Sequence, residues 1–179
     1  AFTMIIVSRI KNLRNKGHQH LLDVLKIYEV SKKWHLVVIG KGKGFGDLKK
    51  KIKEYHLQDK VHLLGHKTDV ENYIDIADVM VLPSYFETFG LVLAEGMAMQ
   101  KPAIAFNVGG ISEVISDKET GFLVKYNDDD DLVNKINRLA QDKDLCSKMG
   151  VIARKKVEKD FANQIMIKKL IEVYVSIKK

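Results

Sequence analysis

Val81-Leu-Pro-Ser-Tyr-Phe-Glu87-Thr-Phe-Gly90-Leu-Val-Leu-Ala-Glu95-Gly-Met97 is the stretch whose reading decides the architecture. Its first residues read as a buried strand stopping at Leu82, where Pro83 ends the ladder because it has no N–H to donate. A short loop follows, then an apolar helix opening near Phe89–Gly90. A helix start carries unpaired N–H groups and a partial positive charge, so it holds a phosphate readily. Gly90 reads as a residue that removes a side chain where a ligand meets backbone. Glu87 lies in the loop and Glu95 inside the helix. Even if the whole segment were helical, the two would stand about 12 Å apart along the axis. A hydrolytic carboxyl pair needs roughly 5–9.5 Å. The wider spacing suits two ends of one long ligand: phosphates at the helix mouth, one acid on a sugar ring, the other on a ribose. Taken alone, Glu95 reads equally well as an ordinary exposed helix residue.

Outward from this stretch, β-rich runs recur at Thr3–Val7, His35–Ile39, Val61–Leu64, Val79–Leu82, Ala103–Ala105 and Phe122–Val124. Most are continuous apolar runs, as for parallel strands buried on both faces. Segments with helical spacing separate them: Leu21, Val24, Leu25 and Tyr28, and later Leu132, Ile136, Leu139 and Ala140. The alternation predicts an α/β fold. It is a Rossmann-like, doubly wound parallel sheet of about six strands with helices on both faces, one domain over residues 1–179. In such sheets ligands bind beyond the carboxyl ends of the strands.

Two further clusters follow predicted strands. Ser8-Arg9 and Lys16-Gly17 bring an arginine and a lysine to the same edge. Together they can neutralise a diphosphate, the arginine as a bidentate fork and the lysine as a point charge. Taken alone, both also read as surface charges. Ile39-Gly40-Lys-Gly42-Lys-Gly44-Phe-Gly46 is a glycine-rich turn that either approaches phosphate or only marks a tight turn. It is not a P-loop, since no Gly-Lys-Ser/Thr follows at the required spacing.

Lys and Arg total 30 against 23 Asp and Glu, a net charge of +7. The cations are scattered and mostly lysine, without the arginine–aromatic interleaving of a nucleic-acid site. They read as a solvated surface, with loose attachment to anionic lipid headgroups as the second reading. The lone Cys146, between Leu145 and Met149, reads as helix core in a reducing, cytoplasmic setting. No apolar run reaches the ~20 residues of a membrane span. Ala1–Val7 reads as a strand that begins at once, without initiator methionine or basic leader, so an upstream segment is expected. Asp128–Asp131 precedes a helical stripe and is explained by capping and the helix dipole rather than by a metal. Ile167, Leu170, Ile171 and Tyr174 mark a last helix that either docks on this domain or bridges to another.

The pieces Val7-Ser-Arg9, Lys16-Gly17, Val38-Ile-Gly40-Lys-Gly42, Val61-His-Leu-Leu-Gly65, Tyr73 with Ala77-Asp78-Val79, Leu82-Pro-Ser84, Glu87 with Glu95, Gly109-Gly110 with Glu113, and Gly121-Phe-Leu-Val124 come in a telling order. Over roughly residues 5–125 the chain resembles the C-terminal domain of GT-B glycosyltransferases, most of all glycosyltransferase family 4. The resemblance implies a UDP- or GDP-linked sugar donor, retention at the anomeric carbon, no cofactor or bound metal, and cytoplasmic polysaccharide biosynthesis. It casts Arg9 and Lys16 as the diphosphate clamp and Glu87 as the acid holding donor-sugar hydroxyls, these three forming the catalytic set. Gly40, Gly42, Thr88, Phe89, Gly90 and Leu91 become donor-binding, with backbone amides on the phosphates. Glu95 binds the ribose, and Gly65–His66 lies near the base. The acceptor, a glycan or lipid-linked sugar, belongs to an N-terminal domain for which these residues leave no room, and peripheral membrane contact goes with that half. Two departures stand out: Gln100 where the family has glycine, and Gly96 where alanine is common. A non-catalytic nucleotide- or glycan-binding module and a GT-B sugar epimerase are the alternative readings.

Overall fold

The structure is a computed structural model and describes residues 1–177, the side chain of Lys169 excepted. The two C-terminal lysines of the predicted 1–179 domain lie outside the described residues. Six parallel strands form one sheet: β1 (Phe2–Val7), β2 (Trp34–Ile39), β3 (Val61–Gly65), β4 (Val79–Leu82), β5 (Ala103–Phe106) and β6 (Gly121–Val124). Their order is β3-β2-β1-β4-β5-β6, the doubly wound arrangement that carries mononucleotide-binding halves on either side of its centre. Each predicted run falls inside a strand, with ends shifted by at most one residue.

The strands form where they do because their apolar runs are covered twice. Every residue of β4 and β5 is buried, as parallel strands with helices on both faces must be. Each large side chain taken from water there contributes roughly 1.5–3 kcal/mol. The intervening helices are α1 (His18–Ile27), α2 (Phe45–Glu54), α3 (Val70–Asp75), α4 (Leu91–Ala98) and α5 (Ile111–Val114). After β6 come α6 (Asp129–Gln141), α7 (Lys143–Asp160) and α8 (Asn163–Ile177). α1 packs on α2 and α6, while α4 packs on α7.

The carboxylate run at Asp128–Asp131 works as a cap. The Asp128 side chain accepts the Asp131 N–H at 3.0 Å, and three acids occupy the first turn of α6. Cys146 and Met149 are buried, Leu145 half-buried. The last helix does not dock. Ile167, Leu170, Ile171 and Tyr174 are all exposed, and its main packing is on α7. Of the two expectations for this helix, docking on this domain is therefore set aside: α8 turns its stripe away from the sheet. No described helix is long and apolar enough to cross a membrane.

The chain order places the sheet's topological switch between β1 and β4, which pair through Met4↔Val79 and Ile5↔Met80. The loop after β1, with Arg9 and Lys16, and the loop after β4, with Glu87, therefore meet over the sheet's centre.

Candidate functional site

Three packed backbones build the site. Gly17 comes first. It stands at φ 71, a left-handed conformation that costs glycine little, and a Cβ there would fall 1.9 Å from the Pro83 carbonyl oxygen. The β1–α1 loop thus lies directly on the β4–α4 loop, helped by the Tyr85 N–H donating to the Asn15 carbonyl at 3.1 Å. This contact brings Lys16 to Glu87 across 71 residues of sequence, with Nζ 2.5 Å from Oε2. The side chains are 28% and 13% exposed.

The Glu87 loop is braced from its other side. A Cβ on Gly109 would come within 1.7 Å of the Glu87 carbonyl oxygen, and one on Gly110 within 2.3 Å of the Thr88 oxygen. Phe89 turns its ring onto Phe161 at the end of α7, centroids 5.3 Å apart and edge to face. Tyr85 sends its hydroxyl to His20 Nδ1 at 3.1 Å, and His20 Nε2 lies 2.7 Å from Asp129 Oδ1 at the start of α6. That second contact is close enough for attraction, though its angles are poor for a hydrogen bond. The loop between β4 and α4 is accordingly held by α1, α5, α6 and α7 at once.

α4 begins at Leu91 with Gly90 as its N-cap, and no side chain caps it. The first N–H groups of a helix have no acceptor within it, so this mouth is an anion site by geometry and dipole. The glycine has a second reason beside the one read in the sequence. At φ 89 it needs the left-handed region, and a Cβ would meet Ile111 Cδ1 at 2.8 Å. Gly40 and Gly42 are similar: added Cβ atoms would strike the Ser8 and Ile10 carbonyls at 1.9 and 2.2 Å. They seat the β1–α1 loop.

Two adjoining clefts open at this edge. One, of about 250 Å³, is lined by Arg9, Lys16, Glu87, Thr88, Phe89, Gly90 and Leu91. The other, of about 790 Å³, is lined by Arg9, Gly40, Gly42, His66, Leu91 and Glu95 among others. Val7, Ser8, Arg9, Leu91 and Val92 line both. Among the described residues Arg9 forms no ion pair, whereas Lys16 is paired. Every sequence-predicted site residue lines one cleft or the other, except Gly65. That glycine ends β3, and its carbonyl accepts the Gly40 N–H at 2.8 Å, so it serves the sheet and aims His66.

Sequence reasoning passed over several lining residues: Lys41, Lys67, Val70 and Val92. Val92 carried a signal, being the next position of the uncapped helix turn. It also passed over His18. This imidazole is 2% exposed, with Nε2 3.1 Å from Ser8 Oγ. Burial first, then the neighbouring Lys16 charge, push it down to about 4. Gln100 stands at φ 60, the left-handed corner after α4 for which a glycine is the unstrained choice. The Cβ of an alanine at 96 would reach Met80 Cγ at 2.4 Å, so Gly96 is tied to this methionine.

The comparisons agree on one group of proteins. The family described as "Glycosyl transferases group 1" matches residues 2–156. The capsular polysaccharide biosynthesis glycosyltransferase CapM of Staphylococcus aureus is 32% identical over 176 residues, 97% of this chain and 46% of its own length. A glycosyltransferase of Rickettsia africae ESF-5 superposes with a TM-score of 0.91 at 30% identity, covering 100% of this chain and 48% of that one. Anabaena Alr3699/HepE, solved in complex with UDP, gives a TM-score of 0.88 at 23% identity over 98% of this chain and 49% of its own. The chain spans less than half the length of the curated relatives it matches, 37% and 46% for two of them.

Proposed function

The chain belongs to the glycosyl transferases group 1 family, and from that premise we propose that it is the donor-binding domain of a retaining glycosyltransferase working on a surface polysaccharide. The observation that carries the reading is the junction of the two clefts. Arg9 and the uncapped mouth of α4 belong to both, so a single elongated ligand reaches from His66 and Glu95 to Lys16 and Glu87. A nucleoside diphosphate sugar has this order of parts. Its base lies toward His66 and its ribose hydroxyls at Glu95. Its phosphates rest on the amides of Leu91 and Val92 beside Arg9, and its sugar lies at Glu87. The UDP complex of Alr3699/HepE supports a nucleotide ligand, CapM supports a polysaccharide product, and retention rests on the family resemblance.

The chemistry follows from charge. As the bond to the sugar breaks, negative charge builds on the leaving diphosphate. Fixed donors stabilise that charge without having to reorganise. The Lys16–Glu87 pair acts as a two-position device. When phosphate arrives, Lys16 turns its ammonium to it, and Glu87 exchanges the lysine for sugar hydroxyls. The departing charge and the sugar are thereby bound together. The acceptor is held by a further domain outside these residues.

Titration of UDP and GDP into the isotope-labelled chain tests the reading by NMR. The expected result is chemical-shift change at Gly90, Leu91 and Val92 with one of the two nucleotides. Unmoved resonances there at millimolar ligand would sink it.

A further inference from the structure

Ser8 is the first residue after β1, and its N–H is used by the sheet, donating to the Ile39 carbonyl at 3.0 Å. Its backbone is fixed against Gly40, where an added Cβ would fall 1.9 Å from the Ser8 carbonyl oxygen. The hydroxyl is its one side-chain polar group, and the residue lines both clefts. Behind it lies His18, first residue of α1, with Nε2 3.1 Å from the hydroxyl oxygen and Nδ1 buried without any partner. Resting on the donor-site reading above, we propose that Ser8 is a phosphate-binding hydroxyl and that His18 is the positioning residue that turns its hydrogen into the cleft.

A ring at the start of a helix, behind Lys16 and out of water, is held neutral, so it carries one N–H. Placing that hydrogen on Nδ1 would strand a buried donor, which native structures tolerate less than an under-used acceptor. The hydrogen therefore sits on Nε2 and donates to Ser8 Oγ. With that lone pair taken, the Ser8 O–H points away from the imidazole. The side away from His18 is the cleft shared with Arg9 and the α4 mouth. A hydroxyl donating to an anionic phosphate oxygen makes one of the shorter, stronger hydrogen bonds. The ligand chemistry is a diphosphate, and the serine adds to the cation clamp a directional contact that an arginine fork and a lysine point charge do not supply.

The closing experiment compares wild type, Ser8→Ala, His18→Phe, His18→Gln and the double variant Ser8→Ala/His18→Phe. UDP and GDP affinities are read by calorimetry, with the matching nucleoside as a phosphate-free probe. Ser8→Ala and His18→Phe are each expected to weaken the nucleotide about five- to tenfold, the scale of one hydrogen bond, while nucleoside binding stays put. The double variant is expected to lose no more than Ser8→Ala, and His18→Gln, whose amide can still donate, to recover most of the loss. Nitrogen-15 imidazole spectra of wild type keep the test independent of whether His18→Phe folds, and they are expected to show the Nε2–H form. An Nδ1–H form, or Ser8→Ala within twofold of wild type, overturns this proposal and leaves the donor site standing. Wild type that binds neither UDP nor GDP overturns both.

Discussion

The sheet has cavities at both ends of its strands, and size does not tell which end is equipped to bind. At the amino ends of the strands a cavity of about 1020 Å³ lies between Phe2, Asp78, Pro102, Lys143 and Cys146. Several of its polar groups are already engaged. Asp78 accepts the Thr3 N–H at 2.7 Å, Lys101 donates to the Asp75 carbonyl at 2.7 Å, and the Cys146 thiol reaches the Asp78 carbonyl at 3.3 Å. The helix that opens there, α7, is capped by Asp142, which takes the Leu145 N–H at 2.8 Å. At the carboxyl edge α4 has no such cap, and Arg9 forms no ion pair among the described residues. Volume follows from how loosely elements meet. A binding edge needs unspent donors gathered at one spot, and the carboxyl edge gathers them, Arg9 and the first amides of α4 facing the same clefts.

That contrast has measurable consequences. The largest is expected at Lys16. Lys16→Ala in the intact enzyme should lower turnover by roughly 10²–10³-fold, the cost of one lost charge-stabilising donor, whereas Lys143→Ala at the other edge should leave it within twofold. Equal losses in steady-state assays would erase the distinction between the edges.

Next comes the acid dependence of His18. Its folded pKa, about 4, lies below the ordinary 6.5, so the unfolded chain binds more protons between those values. Stability should therefore fall as pH drops from about 6.5 to about 4, and level off below. The shift corresponds to about 3 kcal/mol. Denaturant unfolding across that range should show this component in wild type and its absence in His18→Gln.

At the amino edge, burial first, then the Asp78 carboxylate, raise the Cys146 thiol to about 11. Iodoacetamide should modify it on the order of 100-fold more slowly than an unshifted thiol near pH 8, in proportion to the thiolate present. Rapid alkylation of the folded protein, followed by mass spectrometry, would show that this cavity opens more than its hydrogen bonds imply. The smallest effect belongs to Gln100→Gly. Relief of the left-handed strain at φ 60 should raise stability by about 1 kcal/mol or less, read as a small rise in Tm without change in nucleotide affinity.

Much of the fold was legible from residue order. Apolar runs of three to five residues alternating with helical stripes permit few arrangements other than a doubly wound sheet, and the observed strands match them to within one residue at each end. Legibility failed where the reason for a residue lay far away in sequence. Gly90, Gly40 and Gly42 each accommodate another piece of chain as well as lining a cleft, which no local pattern showed. His18 drew no reading, because nothing local shows that it is buried against Ser8. The stripe on α8 left docking and bridging both open, since periodicity states that a face is apolar and not what covers it.

By itself, then, the sequence determined the elements, their parallel order and the placing of the chemistry-bearing residues just past the strands. Those are matters of periodicity, chain connectivity and handedness. Tertiary structure alone decided that Lys16 meets Glu87, that Arg9 stands between two clefts without an ion pair among the described residues, and that the start of α4 goes without a side-chain cap while that of α7 does not. Each depends on backbones separated by dozens of residues touching at van der Waals distance, and no local pattern records such a contact.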